Sequence, residues 1–301
     1  MFNQESYDRH GEWYNQHFPT EADKVTYFKK AKALEADNVA IWLQSLFFKC
    51  LNPLLNNANQ RWLTVGDAYG FDAQYIISKG SSAVATDLNA DFLAVAKSEG
   101  IIEEYAAENA ERLSFGDNSF DFVLCKESYH HFPRPYAALY EMMRVAQTGI
   151  MIIEPQDPVS KMPLILFLNN ILAKAPGLLN KVWKNRFSFE PVGNFVYKVS
   201  EREFEKFAAG LGLPLVAFKN LNPNFYFKGA DNLKTSSKDT KFLKLKAKKK
   251  LLDILVSLKL IPGQVLSTIV FKRVPDQNVI DGLKKDGYHL VYIPKNPYTN
   301  A

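Results

Sequence analysis

The chain has 301 residues, of which 47% are apolar and 23% charged, a composition typical of a globular α/β domain with insertions. Its two cysteines lie in no CxxC or Cys/His pattern, which argues against a disulfide framework, and we expect no metal site. The net charge of +5 is modest and concentrated in one segment, so we expect no nucleic-acid partner. The N-terminal residues do not resemble a signal peptide and no apolar run is long enough to span a bilayer, which predicts a cytoplasmic protein.

Residues 1–60 predict a helical cap in front of the first strand. The segment is polar and aromatic at first and then follows a helical pattern over Leu34–Leu55. Apolar residues such as Ile41 and Leu46 fall near one face of this pattern. We therefore expect a helix that packs on the edge of the sheet.

The segment Arg61–Asp87 predicts the first βαβ unit of a nucleotide-binding sheet. The apolar run Trp62–Val65 leads into a turn in which small residues alternate at Gly66, Ala68 and Gly70, and a second strand over Ala83–Thr86 ends at Asp87. In a dinucleotide-binding turn the third glycine follows the second by three residues, because a pyrophosphate sits on the helix N-terminus. The alternating spacing therefore disfavours a dehydrogenase.

A second pattern follows the next predicted helix, for which Asn89 is the expected N-cap. It consists of Asn109-Ala110, Leu113-Ser114-Phe115 and Asn118-Ser119-Phe120-Asp121, which lead into a fourth strand over Phe122–Cys125. An amide at Asn109 suits adenine, because its carbonyl oxygen and a nearby backbone N–H can bind the N6 donor and the N1 acceptor.

The alternating turn, Asp87 and this second pattern together resemble the class I S-adenosylmethionine-dependent methyltransferases, in particular the small-molecule and ubiquinone-type enzymes. The resemblance covers residues 61–155 well and 199–273 in outline. It implies S-adenosylmethionine as cofactor, with S-adenosylhomocysteine as product. It also implies that the N-terminal helices cover the cofactor and help to form the substrate pocket, with simple packing on the sheet edge as the alternative. The cofactor-binding residues that it implies are Gly66, Asp67, Ala68, Gly70, Asp87, Leu88, Asn109, Ala110 and Lys126. Thr64 and Ala68 depart from the acidic residue and the glycine usual in the family, so a non-catalytic cofactor-binding scaffold stays an alternative.

The resemblance also implies an α/β, Rossmann-like fold with a seven-stranded, mostly parallel sheet, an antiparallel seventh strand and helices on both faces. The whole of 1–301 is predicted to be a single domain with its core at 61–160 and 199–274. The remaining predicted core elements are a helix over Arg134–Ala146, a fifth strand over Ile150–Ile153, a helix over Glu201–Leu211, a sixth strand over Leu215–Phe218 that could extend to Tyr226, and a seventh over Ser267–Arg273.

Two helical insertions and a tail interrupt this plan. Insertion 162–197 contains Trp183 and Arg186 and lies where many relatives build a lid. Insertion 229–263 has six lysines before an apolar half-helix, so that Lys241–Ile261 could touch an anionic membrane surface and bring a lipid-linked acceptor within reach; a solvated lysine face is the alternative. The C-terminal extension 275–301 contains a helical stretch, Val279–Lys285, and a strand-like one, His289–Ile293.

The loops at the carboxyl ends of the fourth and fifth strands hold the candidate catalytic residues His130, His131, Glu127 and Glu154. Methyl transfer from a sulfonium is an in-line displacement, and an oxygen nucleophile must also lose a proton, for which histidine is suited. We expect His130 to be the general base and His131 to lie on the cofactor side, while Tyr69 and Tyr129 could present their rings to the sulfonium. The acceptor is predicted to be a sugar, glycan or other small metabolite methylated on oxygen, with carbon methylation of a quinone-like ring as the alternative.

Overall fold

The computed structural model describes residues 2–33, 37–56, 59–157, 162–175, 177–178, 187–189, 195–235 and 238–298. It has the predicted α/β architecture, in which one sheet carries helices on both faces. The strands are β1 (Arg61–Val65), β2 (Ser82–Asp87), β3 (Glu104–Ala107), β4 (Phe120–Lys126), β5 (Ala146–Pro155), β6 (Leu215–Leu221), β7 (Val265–Phe271) and β8 (His289–Tyr292). The helices are α1 (Phe2–His17), α2 (Glu21–Ala33), α3 (Val39–Phe48), α4 (Phe71–Ile77), α5 (Asp91–Ser98), α6 (Pro135–Val145), α7 (Pro163–Leu172), α8 (Glu201–Gly210), α9 (Thr240–Ser257) and α10 (Gln277–Lys285).

The strand order is β3-β2-β1-β4-β5-β7-β6-β8. Strands β1 to β5 pair in parallel, and β7 lies antiparallel between β5 and β6, as the sequence predicts. The sheet has eight strands rather than the predicted seven, because β8 of the C-terminal extension pairs antiparallel with β6. An edge strand that exposes unpaired backbone groups is prone to further pairing, and β8 occupies that edge of β6.

Alternate residues of the central strands feed two separate cores, one on each face of the sheet. Trp62 and Leu124 belong to a cluster with α4, α5 and α10, whereas Leu63 and Val123 belong to a cluster with α6 and α8. This is the two-residue period of a strand that is buried on both faces. Helices therefore cover both faces of the sheet, so a site can form at the carboxyl ends of its parallel strands.

The N-terminal cap consists of three helices rather than the single predicted one. Helix α3 begins at Asn38, whose side chain accepts a hydrogen bond from Ile41 N at 2.9 Å, and ends in a 3-10 turn, Lys49–Leu51. A third small core joins α3 to α9 through Val39, Leu43 and Phe242. The aromatic residues at the start of the chain lie on the other two helices of the cap, α1 and α2.

Three local predictions differ from the structure. Strand β3 is not predicted, because Glu104–Ala107 is short and only half-buried. Strand β6 ends at Leu221 and does not reach Tyr226, since Pro223 cannot donate to a ladder. The N-cap of α5 is Ala90 and not the predicted Asn89. The side chain of Asn89 still accepts a hydrogen bond from Asp91 N, at 2.9 Å.

Insertion 162–197 is described only in part. Helix α7 spans Pro163–Leu172, whereas Trp183 and Arg186 lie outside the described residues. Insertion 229–263 contains the long helix α9. Within the described ranges, no helix is both long and apolar enough to cross a membrane.

Candidate functional site

A cavity of about 840 Å³ lies between the carboxyl ends of β1, β2 and β4 and the N-terminal helices. Its volume is in the range of small-molecule sites, about 300–1,000 Å³. Of the thirteen predicted site residues, ten line it: Gly66, Asp67, Ala68, Asp87, Leu88, Asn109, Ala110, Lys126, Glu127 and His131. Gly70, His130 and Glu154 lie behind this wall. The strand order reverses between β1 and β4, which is where open α/β sheets bind ligands.

The turn after β1 needs glycine at residue 66 for two reasons. The φ angle of Gly66 is +71°, a left-handed conformation that side chains disfavour. In addition, a Cβ on Gly66 would lie 2.5 Å from the Cβ of Ser128, in the loop after β4. Gly70 also has a positive φ, but a Cβ there would meet Ile102 of the core at 2.9 Å. Gly66 therefore shapes the cavity, and Gly70 allows α4 to pack against the sheet.

Asp67 supplies a buried carboxylate at this turn. It accepts hydrogen bonds from Thr64 Oγ1 and Ala73 N, both at 2.9 Å, and from Asp72 N at 3.3 Å. Burial raises the pKa of Asp67, and these hydrogen bonds partly offset that effect. Thr64 stands where the resembling family usually has an acidic residue. Its hydroxyl donates to the carboxylate of Asp67.

Asp87 closes β2 with a side chain that is only 5% exposed. Its carboxylate accepts a hydrogen bond from Asn89 N at 2.9 Å. Burial raises the pKa of Asp87 to about 6, and the N–H of Asn89 limits that rise. Asp87 lines the cavity, and its ionised carboxylate can accept hydrogen bonds from hydroxyl groups.

Asn109 and Ala110 form the wall next to Asp87. The Asn109 side-chain oxygen accepts a hydrogen bond from Glu111 N at 2.9 Å, which leaves its second lone pair for a ligand. Glu111 is buried and pairs with Arg134, whose Nε donates to it at 2.6 Å. This pair fixes the Asn109 turn to the start of α6.

Lys126 and Asp72 form an ion pair in the cavity wall that the sequence analysis did not include. Lys126 Nζ lies 3.2 Å from Asp72 Oδ1 and 3.8 Å from Glu127 Oε2. Burial alone would lower the pKa of Lys126, but the charges of Asp72 and Glu127 raise it by more, so the ammonium is maintained. Burial raises the pKa of Asp72 and Lys126 limits the rise. Glu127 has a φ of +52°, a conformation that is uncommon for non-glycine residues and is often found at functional sites.

Glu154 organises the loop that contains both histidines. Its side chain is fully buried, and Oε1 accepts hydrogen bonds from Ser128 N and Tyr129 N, each at 2.7 Å. Its Oε2 lies 2.5 Å from Nδ1 of His130. The ring of His130 in turn contacts that of His131 at a tilt of 37°, with 4.1 Å between the ring centroids, and His131 is the histidine that lines the cavity. Tyr129 is buried in the core and does not face the cavity.

The N-terminal helices contribute aromatic residues to the cavity, although the sequence analysis gave none of these residues an individual role. Tyr14 of α1 and Tyr27 of α2 line the cavity beside Tyr69, with 4.8 Å between the ring centroids of Tyr27 and Tyr69. On the opposite wall, Phe48 of α3 stacks on Tyr75 of α4 at 4.7 Å with an interplanar angle of 18°. In the sequence, the signal for this contribution was the number of aromatic residues in 1–60.

Three comparisons show which known proteins this chain is similar to. The family described as a methyltransferase domain matches residues 63–153. A demethylmenaquinone methyltransferase of Renibacterium salmoninarum is 25% identical over 54% of this chain and 70% of its own length. A second one, of Paenarthrobacter aurescens, is 28% identical over 42% of this chain, which spans about half (51%) of that relative. The crystal structure of YcgJ from Bacillus subtilis is similar over 75% of this chain and 99% of its own, at 18% identity and a TM-score of 0.47.

Proposed function

We propose, from the premise that this chain belongs to the S-adenosylmethionine-dependent methyltransferases, that it methylates a small planar ring that carries a hydroxyl group. The family fixes the cofactor and the reaction type. The acceptor is our proposal, and the observation that carries it is the pair of aromatic walls of the cavity.

The residues present fit S-adenosylmethionine. Gly66 lets the turn after β1 lie against Ser128 at the cavity, Asp87 would bind the ribose hydroxyls, and Asn109 with Leu88 and Ala110 would hold the adenine. Lys126 would meet the carboxylate of the amino-acid part, since it is the buried cation of this wall. The bound cofactor supplies an electrophilic methyl group on a sulfonium.

The walls next to the turn favour a flat ring as acceptor. Phe48 and Tyr75 present stacked rings, and Ile41 adds an apolar surface from α3. A planar ring can stack on such a surface, whereas a sugar requires a larger set of hydrogen-bonding partners. The printed names of both demethylmenaquinone methyltransferases point to the same acceptor class, so we propose carbon methylation of a hydroquinone-type ring.

His130 is the proposed general base. Its ring lies behind the cavity lining, 4.1 Å from the ring of His131 between centroids, so the acceptor must bring its hydroxyl group past His131 to reach it. Because the carboxylate of Glu154 accepts from Nδ1–H of His130, the acceptor nitrogen of the ring is Nε2. Removal of the hydroxyl proton directs electron density to the oxygen and to the neighbouring ring carbon, so the same base serves O- and C-methylation. His131 lies in the wall close enough to Asp87 to lower its pKa, which supports a role on the cofactor side.

A second candidate is O-methylation of a sugar, glycan or other small metabolite. Gln44, Gln74 and Ser78 line the same part of the cavity as the stacked rings. Their amide and hydroxyl groups are suitable partners for a polyhydroxylated acceptor.

Incubation with methyl-labelled S-adenosylmethionine and either a hydroquinone-type ring or a set of sugars would distinguish the two acceptors. We expect label on a ring carbon. His130→Ala should lower turnover by about 10²–10⁴-fold with nearly unchanged cofactor affinity, since a positioned base contributes a factor of this size. His131→Ala, the adjacent control, should weaken cofactor binding more than turnover at saturating cofactor. Label on sugar oxygen would favour the second candidate, and full turnover in His130→Ala would place the base elsewhere.

A further inference from the structure

Helix α9 has an apolar stripe on the face that points away from the protein. Its residues recur with helical spacing of three or four: Leu243, Ala247, Leu251, Ile254 and Leu258, which follows the last helical residue. They are exposed, with fractions of 51% for Leu243, 58% for Leu251, 47% for Ile254 and 62% for Leu258. Isolated exposed leucines are ordinary, but a continuous stripe along an 18-residue helix marks an interaction surface.

The opposite face of the same helix is the one that packs on the protein. Phe242 is buried and forms an edge-to-face contact with Trp42 of α3, with ring centroids 5.5 Å apart, and Leu245 and Leu252 join the same small core. At 3.6 residues per turn these positions lie about half a turn around the helix from the stripe. The stripe is therefore not the packing face of α9.

Lysines border the stripe on both sides. Lys246 and Lys250 lie along one side and Lys244 and Lys248 along the other, and all four are exposed. The acidic residue of the helix, Asp253, is engaged by Lys249 Nζ at 2.6 Å and by Asn222 Nδ2 at 2.8 Å. With six lysines and one aspartate, α9 has a net charge of +5, equal to that of the whole chain.

We propose that α9 lies flat on an anionic lipid surface, with the stripe inserted between the acyl chains and Lys244, Lys246 and Lys250 at the headgroups. The fourth bordering lysine, Lys248, has its Nζ 5.9 Å from the ring centroid of Phe225. An apolar stripe between two rows of lysines is the arrangement of an interfacial helix. An acidic protein partner would engage the lysines but leave the leucines without a counterpart. A second copy of α9 would bring the lysine rows of two helices together.

The placement of α9 gives the docking a direction. Helix α3 lies between α9 and the cavity, because Val39 and Leu43 pack in the core shared with α9 while Ile41, Gln44 and Phe48 line the cavity. Two helices, α9 and α3, thus separate the proposed lipid surface from the acceptor walls. This docking would hold whatever the acceptor is, and its test does not depend on turnover.

Flotation of the full chain with vesicles tests the proposal. We expect flotation at low salt with vesicles of phosphatidylcholine mixed with phosphatidylglycerol, none with phosphatidylcholine alone, and a steep loss as salt is added. Lys246→Glu/Lys250→Glu should lower the bound-to-free ratio at least about tenfold through charge. Leu251→Ser/Ile254→Ser should lower it by a similar factor through lost apolar insertion.

The matched control is Lys284→Glu/Lys285→Glu on α10, which makes the same change in net charge on exposed residues of another helix. It should float like the unaltered chain. Cofactor affinity and circular dichroism confirm that each variant is folded. Failure of the unaltered chain to float with the anionic vesicles would overturn the proposal, as would equal losses in the α9 and α10 lysine variants. A dimer that the Leu251→Ser/Ile254→Ser variant converts to a monomer, without vesicle binding, would instead identify a self-association surface.

Discussion

At the scale of single residues, the close contact between Gly66 and Ser128 is the feature on which the site depends most. Residue 66 follows β1 and residue 128 follows β4, and the two neighbouring strands bring them together. The Ser128 side chain is held in place, since its Oγ donates to the carbonyl of Val65 at 3.2 Å. A side chain at residue 66 would therefore meet a neighbour that cannot move without breaking the loop.

Gly66→Ala should accordingly abolish cofactor binding and lower the free energy of unfolding. The left-handed φ costs about 1–2 kcal/mol and the overlap with Ser128 costs about another 1–3 kcal/mol. Gly80→Ala is the control, because Gly80 also has a positive φ, +87°, but no atom within 4 Å of the added Cβ. Urea unfolding should show only the backbone cost in the control. Equal losses in both variants would contradict the steric role of Ser128.

Asp87 makes the stability of the cofactor-free protein depend on pH. Its pKa is raised from 3.8 to about 6 by burial, so between these values the folded protein binds the proton more tightly than the unfolded chain does. The contribution of Asp87 to the unfolding free energy should therefore fall by up to about 3 kcal/mol as the pH rises from 4 to 7. Urea unfolding of the unaltered chain and of Asp87→Asn across this range measures the difference, and two parallel pH curves would refute the prediction.

The same group should set the pH dependence of cofactor affinity in the opposite direction. Only the ionised carboxylate can accept hydrogen bonds at both oxygens, so affinity should weaken as the pH falls below about 6. Calorimetric titration should show this loss in the unaltered chain and a smaller loss in Asp87→Asn, where Asp72 of the same cavity, whose pKa burial raises to about 7, still titrates. Bound cofactor should therefore stabilise the protein most at neutral pH. At that pH the buried, ionised carboxylate of Asp87 lowers the unfolding free energy of the cofactor-free protein.

At the scale of elements, β5 pairs with β4 and β7 and also fixes the loop that follows β4. Its residue Glu154 accepts three hydrogen bonds from the loop after β4. Two of these fix the backbone of the 3-10 turn Tyr129–His131, and the third fixes a ring of that turn. One buried carboxylate therefore sets both the shape of the loop and the tautomer of His130.

Glu154→Gln should separate these two roles. The amide oxygen can still accept from Ser128 N and Tyr129 N, but the amide NH₂ cannot accept from Nδ1–H of His130. We expect a loss of about 1–3 kcal/mol in unfolding free energy and a change of tautomer at His130, seen in the ring ¹⁵N shifts. Glu104→Gln, whose ion pair with Arg61 is exposed, should cost less than about 1 kcal/mol. An unchanged ring spectrum in Glu154→Gln would contradict the role of the carboxylate.

At the scale of the whole molecule, the C-terminal extension is part of the fold. The hydroxyl of Tyr288 donates to the carbonyl of Cys50 at 3.1 Å and lies 2.7 Å from Oγ of Ser267. These three residues belong to the extension, the N-terminal cap and β7. Leu283 of α10 is fully buried in the same core.

Tyr288→Phe should therefore loosen three parts of the chain at once. It leaves two buried polar groups without a partner, at a cost of about 1–3 kcal/mol in unfolding free energy. Tyr292→Phe makes the same chemical change on β8, where the side chain is 56% exposed, and should be nearly neutral. Urea unfolding compares the two, and hydrogen exchange should show faster opening of β7 around Ser267 and of the segment that leads into β8 only in Tyr288→Phe.

The sequence alone determined the fold class and the order of the core elements, and its resemblance to the class I methyltransferases implied the cofactor. These features rest on local chemistry: a two-residue period in the strands, a small-residue turn at Gly66, and an acidic residue at the end of β2. Each can be recognised within about ten residues of chain, and each is present in the structure. The cofactor pattern could be recognised even though Thr64 departs from the family, because the neighbouring positions carry the same spacing.

Tertiary structure alone decided the walls of the site. The Lys126–Asp72 pair, the contact of Gly66 with Ser128 and the stacking of Phe48 on Tyr75 each join residues from different elements. It also decided that His131 lines the cavity while His130 bonds Glu154, although the two are adjacent in sequence. Neither periodicity nor spacing encodes which distant segments meet, because that depends on how the helices pack over the carboxyl edge of the sheet.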